Sequence, residues 1–200
     1  MADSSEPGKR LDVDSPQGNA IVEAATRCFD TWGVERTRMG DIAIEADVAR
    51  PTLYRYFPNK EALILEVMIR HIRVENAMTR KKVKLAGPGR DVIRRCLLLQ
   101  IREQRPKEQP GSLLRTESTH VLAHRAANSP EVLEAAKELW ADIFAYAAER
   151  GELRPDLEAD GAIRWMTMLV HVSLVLPELM PADEQLERYL DQFVVEALVL

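Results

Sequence analysis

Arg50, Thr52, Tyr54, Arg55 and Tyr56 crowd into seven consecutive residues. A guanidinium pairs bidentately with a guanine edge or a phosphate. Threonine and tyrosine add hydroxyls and apolar contact for thymine methyls. The mixture suits nucleic-acid recognition. Lys60 lies just beyond it, and Thr37 and Arg38 just before it. Cations and hydroxyls at such flanks are the groups that hold a phosphate backbone. A second constellation is Glu117, His120 and His124, at i, i+3 and i+7. On a helix these share a face and, with one further ligand, could hold a zinc-like ion. The plainer reading is a polar face, or one histidine serving as a hydrogen-bond donor, and no metal or other cofactor is expected. The chain has no Gly-x-Ser-x-Gly, no His-Glu-x-x-His, no phosphate-cradling glycine loop and no nucleotide fingerprint, so no enzyme is expected.

Two short helices must position the Arg/Thr/Tyr face. Ile42, Ala43, Ala46, Val48 and Leu53 form an apolar seam that sets the angle between a helix over 38–45 and another over 50–56. Asp47 stands where the chain reverses, a place that can demand the left-handed conformation Asp tolerates. Pro51 fits the first turn of the second helix, and Pro58 ends it. A helix over 16–32 comes first, with Ile21, Ala24, Ala25, Cys28 and Phe29 as its apolar stripe and Gly33 as its stop. Asn59 can cap a long helix reaching about 85. Beyond Gly87-Pro88-Gly89 the pattern continues with helices over 91–104, 112–127, 129–150, 160–176 and 183–198. Ser129-Pro130-Glu131 is a cap, a proline and an acid in the order a helix start requires. Strand signals are absent. The expectation is an all-α chain of nine helices in two domains. Residues 1–15 read as a disordered tail, 16–62 as a head with its motif at 38–57, and 63–200 as a helical domain.

The charge is unevenly spread. The chain carries 27 Lys+Arg against 32 Asp+Glu, net -5. Residues 36–84 nevertheless hold 11 basic against 6 acidic residues, whereas 151–200 hold 3 against 10. That asymmetry fits a molecule whose front alone meets phosphate. No apolar run is long enough for a membrane span. The first ten residues lack the apolar core of a signal peptide, so the cytosol is expected. Cys28 and Cys96, far apart within apolar patterns, read as buried reduced thiols.

The stretch from Ile21 resembles the tetracycline-repressor (TetR) family of bacterial regulators. Ile21-x-x-Ala24-Ala25-x-x-x-Phe29 with Gly33 is similar to that family's first helix. Thr37-x-x-x-Asp41-Ile42-Ala43-x-x-Ala46-x-Val48 is similar to its second helix and turn, and Thr52-Leu53-Tyr54-x-x-Phe57-x-x-Lys60-Glu61-x-Leu63 to its recognition helix and the entry to its fourth. Asp47 stands where the family usually has glycine, Ala49 where it has serine, and Arg38 where a second threonine is frequent. The resemblance implies phosphate contacts from Thr37, Arg38, Arg55, Tyr56 and Lys60, and base contacts from Arg50, Pro51, Thr52 and Tyr54. Phe57 reads as core, and Tyr56 suits either DNA contact or structural support. The resemblance also implies a repressor that binds a palindromic double-stranded operator as a dimer and is released by a small-molecule effector. Two such heads must stand one duplex turn, roughly 34–36 Å, apart. A ligand that prefers one state of the dimer can then switch binding.

The second half offers Cys96, Leu99, His120, Trp140, Phe144, Trp165, Met168 and His171 as effector-pocket candidates. They are bulky or aromatic residues with a few polar handles, which suits an apolar or aromatic effector, and ordinary core is the competing reading for each. The helix over 160–176 is apolar almost all round, so it needs cover on every side. Together with the last helix it is expected to form a four-helix interface with a second copy. A helical module that binds protein through its first half is the remaining alternative; the basic front disfavours it.

Overall fold

The structure, a computed structural model, describes residues 12–104, 129–176 and 179–200. Eight helices are counted among them, not nine; the helix expected over 112–127 lies outside the described residues. They are α1 (Pro16–Trp32), α2 (Met39–Glu45), α3 (Arg50–Tyr56), α4 (Lys60–Lys82), α5 (Gly89–Gln104), α6 (Pro130–Glu149), α7 (Ala159–Val175) and α8 (Asp183–Leu190). No strand is found among the described residues, only one isolated bridge between Leu153 and Val199. The chain divides into two compact units, with the boundary after Met68. The first nine residues of α4 belong to the first unit and the rest to the second.

The first unit is built on the stripe of α1. Ile21, Ala24, Ala25 and Phe29 are fully buried there, with Ile42, Leu53 and Leu63 from the next three helices. Each of the larger ones, Ile21, Phe29, Ile42, Leu53 and Leu63, stabilises the fold by about 1.5–3 kcal/mol. The stops are chemical. Ser15 caps α1 by accepting from the Gly18 N–H at 3.2 Å, and Pro16 costs nothing at a position whose N–H has no helical partner. Gly33, at φ 81°, closes the other end with its N–H on the Phe29 carbonyl at 2.9 Å. Asn59 caps α4 through the Ala62 N–H at 2.8 Å.

The second unit packs α5, α6, α7 and α8 around a single core that includes Ile93, Leu97, Leu139, Trp140, Met166 and Leu190. Ser129 and Pro130 start α6, as their order predicts, with the Val132 N–H on the Ser129 hydroxyl at 3.2 Å. Gly151, at φ 66°, follows the end of α6.

The last helix departs from the sequence reading. After Leu190 it opens into a wide π turn over Asp191–Val195 before a final turn, Glu196–Leu198. A π turn inserts one residue into the helical register. An unbroken helix would bury Phe193, Val194, Ala197 and Leu198. The observed buried set is Val194, Val195, Leu198 and Val199, and Phe193 is pushed out to 55% exposure.

Candidate nucleic-acid interface

The turn between α2 and α3 is set by backbone bonds. The Ala46 N–H closes α2 onto the Ile42 carbonyl, and the Val48 N–H reaches back to the Ala43 carbonyl, both at 2.9 Å. Between them Asp47 sits at φ 52°, the left-handed conformation expected of it. Leu53 and Ala43 are buried in the seam, and Val48 is half-buried beside the turn. At the other end of α2 the Arg38 N–H donates to the Asp41 carboxylate at 2.9 Å. This is one half of a capping box; arginine has no acceptor with which to make the other half.

α3 divides cleanly into two faces. Leu53, Tyr56 and Phe57 are buried, while Arg50, Pro51, Tyr54 and Arg55 are exposed and Thr52 is half-buried. The i, i+3, i+4 spacing of the buried set leaves the i, i+1, i+4, i+5 set outward on adjacent turns. Tyr54 is 49% exposed. Arg50 lies back over α2, where a methyl group placed on Gly40 would run into its guanidinium. Only a glycine lets that guanidinium rest so close to the backbone.

Three residues expected at phosphates are turned inward instead. Thr37 is 1% exposed, and its hydroxyl donates to the Gly33 carbonyl at 2.8 Å and the Cys28 carbonyl at 3.2 Å. It ties down the end of α1. Tyr56 is 6% exposed; its hydroxyl lies 3.2 Å from the Ser15 hydroxyl and donates to Gln17 Oε1 at 3.3 Å. It is a structural support. Lys60 donates from Nζ to the carbonyls of Val34, Thr37 and Glu35 at 2.7, 3.0 and 3.4 Å. One sequence signal pointed to this role: Lys60 opens a helix, where the dipole disfavours a cation, so something else must hold it there. Arg38 and Arg55 remain exposed. An ion pair absent from the sequence reading, Arg27 with Glu45 at 2.8 Å, links α1 to α2. Burial pushes the nearby Cys28 thiol up, and the Glu45 and Asp41 carboxylates add to it.

In the second unit the expected pocket residues separate. Cys96, Trp140 and Phe144 are buried in the core, the two rings 5.7 Å apart, with Leu99 and Trp165 packed on the outside of it. Burial pushes the Cys96 thiol up as well. Met168 points outward at 53% exposure, and His171 is half-buried. None of them lines the groove between α4 and α6, whose walls include Asn76, Ala135 and Leu139. His120, Glu117 and His124 lie outside the described residues, and among the described residues no cluster could hold a metal. No described helix is long and apolar enough to cross a membrane.

Two helices at a fixed angle, a left-handed turn residue and an outward Arg/Pro/Tyr/Arg face define a helix-turn-helix protein. Residues 21–67 match the family model of bacterial regulatory proteins, tetR family. The chain is 28% identical over 117 residues to an uncharacterized HTH-type transcriptional regulator of Mycobacterium bovis, covering 58% of this chain and 60% of that one. The chain thus spans less than two thirds of the length of such relatives. It is 41% identical over 61 residues to the HTH-type transcriptional regulator RutR of Escherichia coli, 30% of this chain and 29% of that one. In fold it is similar to the transcriptional repressor QsdR of R. erythropolis, at TM-score 0.66 and 18% identity over 88% of this chain and 91% of that one. The fatty acid degradation regulator FadR of Bacillus halodurans is also similar, at TM-score 0.59 and 17% identity over 94% and 97%. These relatives are named as regulators, not enzymes. Residues 21–67 therefore carry the DNA-binding region of the tetR family of bacterial regulatory proteins, and the matched relatives support a regulator of that family.

Proposed function

We propose that this chain is a cytoplasmic, ligand-responsive repressor that binds a two-fold-symmetric DNA operator as a homodimer. The carrying observation is the outward face of α3. Arg50, Pro51, Thr52 and Tyr54 are the base-reading set, with Arg38 and Arg55 on phosphate. The exposed apolar side chains of the last two helices support the dimer. Met168 on α7, Leu176 just past its end and Phe193 beyond α8 are each more than 40% exposed, an arrangement a second copy would cover. A dimer fixes the spacing of two heads. A small molecule bound in the second unit, with an apolar or aromatic body, would shift that spacing and release the operator.

The test is a gel-shift titration of the full chain against genomic fragments, repeated across salt concentrations. Specific retardation that weakens steeply with salt is expected, on a site whose half-sites lie about one duplex turn apart. No fragment retarded even at low salt would overturn the reading. Phe193→Asp should give monomers in sedimentation and lose operator binding while leaving α3 unchanged.

A further inference from the structure

The second unit buries an amide pair whose hydrogen bonding is incomplete. Asn76 on α4 and Gln100 on α5 are each 6% exposed. Asn76 Nδ2 donates to the Ala135 carbonyl of α6 at 3.1 Å, and Gln100 Nε2 donates to Asn76 Oδ1 at 3.4 Å. The second bond is longer than the ordinary range. Gln100 Oε1 is shut off from water and accepts from nothing among the described residues. A buried acceptor left open costs about 1–3 kcal/mol, and such groups in native proteins call for an explanation. Position adds to the case. Gln100 falls on the same stripe as Ile93, Cys96 and Leu97, where the core dictates an apolar residue.

Asn76 also forms part of the wall of an open groove between α4 and α6, with a volume of about 380 Å³. That is within the range of small-molecule sites. Ala77, Ala135 and Leu139 give it an apolar floor, and Arg73, Lys81 and Glu138 stand along its rim. Arg80, also on the rim, is held by Asp142, so the remaining rim charge is two cations against one carboxylate.

We propose that the groove and the amide pair behind Asn76 form the binding site of a small organic acid that also carries a hydrogen-bond donor. The carboxylate meets Arg73 and Lys81, the apolar body lies on Ala135 and Leu139, and the donor satisfies the amide pair. Asn76 connects the two parts, because the residue lines the groove and its amide holds Gln100. A donor arriving there replaces the long Gln100–Asn76 bond and frees the pair to rearrange. A neutral ligand would leave the rim cations unused, and an acid without a donor would leave the open acceptor unpaired. The inference rests on the effector-responsive reading above and names the chemistry of that effector.

The test uses the full chain, labelled for side-chain amide NMR, and a panel of aromatic and aliphatic fragment acids in matched pairs, each with a hydroxyl or its methyl ether. Neutral amides of the same acids serve as the charge control. The donor-bearing acids should shift the Asn76 and Gln100 amide signals and bind about tenfold more tightly than their methyl ethers, one satisfied hydrogen bond's worth. Gln100→Met, which keeps the length of the side chain, should remove that advantage while the acids still bind; its melting curve checks the fold. No fragment reaching the two amides, matched pairs binding alike, or a water on Gln100 that no fragment displaces would each overturn the proposal. A gel shift run in parallel separates the two readings. Operator binding with no fragment at the amides sinks this inference alone, whereas absence of operator binding sinks the regulator reading.

Discussion

Lys60 donates its ammonium to the Thr37 carbonyl across 3.0 Å, and the same nitrogen bonds the carbonyls of Val34 and Glu35. The first residue of α4 therefore holds the loop that leads into α2. A phosphate ligand would leave that charge free; here its three donors meet backbone oxygens. Removing it leaves carbonyls of the α1–α2 loop without the charge-assisted bonds that fix them. Lys60→Met should lower the stability of the head by about 2 kcal/mol, read by urea denaturation. Operator affinity should fall with it, but the slope of log affinity against log salt should stay unchanged. A slope reduced by about 1 is the mark of a lost phosphate contact and would show that Lys60 leaves its carbonyls for DNA.

Tyr54 and Tyr56 are two residues apart and should behave oppositely. Tyr56→Phe removes a hydroxyl shared with Ser15 and Gln17 and should cost about 0.5–1.5 kcal/mol of stability, with base preference unchanged. Tyr54→Ala and Arg50→Ala should leave melting nearly unaltered. Each should flatten discrimination at one operator position by about 1–3 kcal/mol. Competition gel shifts with single-base variants of the operator separate these outcomes; a change of base preference in Tyr56→Phe would contradict its structural role.

Asp47 holds the turn at φ 52° without being a glycine. The left-handed region costs an L-residue roughly 1–2 kcal/mol, less for Asp, and glycine's looser unfolded chain offsets part of the relief. Asp47→Gly should therefore raise the melting temperature by a few degrees at most. Asp47→Val, β-branched and a poor fit to positive φ, should lower it clearly. Equal melting of both variants would mean that the turn is not under conformational strain.

Much of the head was legible in the sequence because its signals are local. The Ser15-Pro16 start, the Gly33 stop, the Asn59 cap and the left-handed Asp47 each follow from one residue's own chemistry. The exposure of Arg50 and Tyr54 follows from buried Leu53 and Tyr56 on the same short helix and Phe57 at its cap. The sequence did not reveal where long side chains end. Lys60 reaches carbonyls 23 to 26 residues away, and Tyr56 reaches Ser15 and Gln17 from about 40; such pairs exist only after folding. The π turn at Asp191–Val195 was equally hidden, since every residue in it suits an ordinary helix. Gln100 was hidden as well, since a single amide on an apolar stripe does not disturb the helical pattern.

Glu152 makes the acid stability of the second unit predictable. Its carboxylate accepts from Arg150 Nε at 2.7 Å and from the Gly89 N–H, while its backbone carbonyl accepts from the Leu200 N–H at 3.0 Å. It thus joins the start of α5, the end of α6 and the chain's last residue. The Arg150 guanidinium first, then the Gly89 N–H, hold its carboxyl below the ordinary value of 4.5. A carboxylate held lower in the folded state binds its proton more weakly there than in the unfolded chain. Its contribution is therefore present in full above pH 4.5 and is lost as pH falls through the folded value. Glu152→Gln cannot titrate. The native protein should melt at higher temperature than this variant near neutral pH, and the gap should close as the pH is taken below about 4.5. Parallel melting curves for the two proteins down to pH 3 would show that the contacts of Glu152 carry no charge-dependent stability.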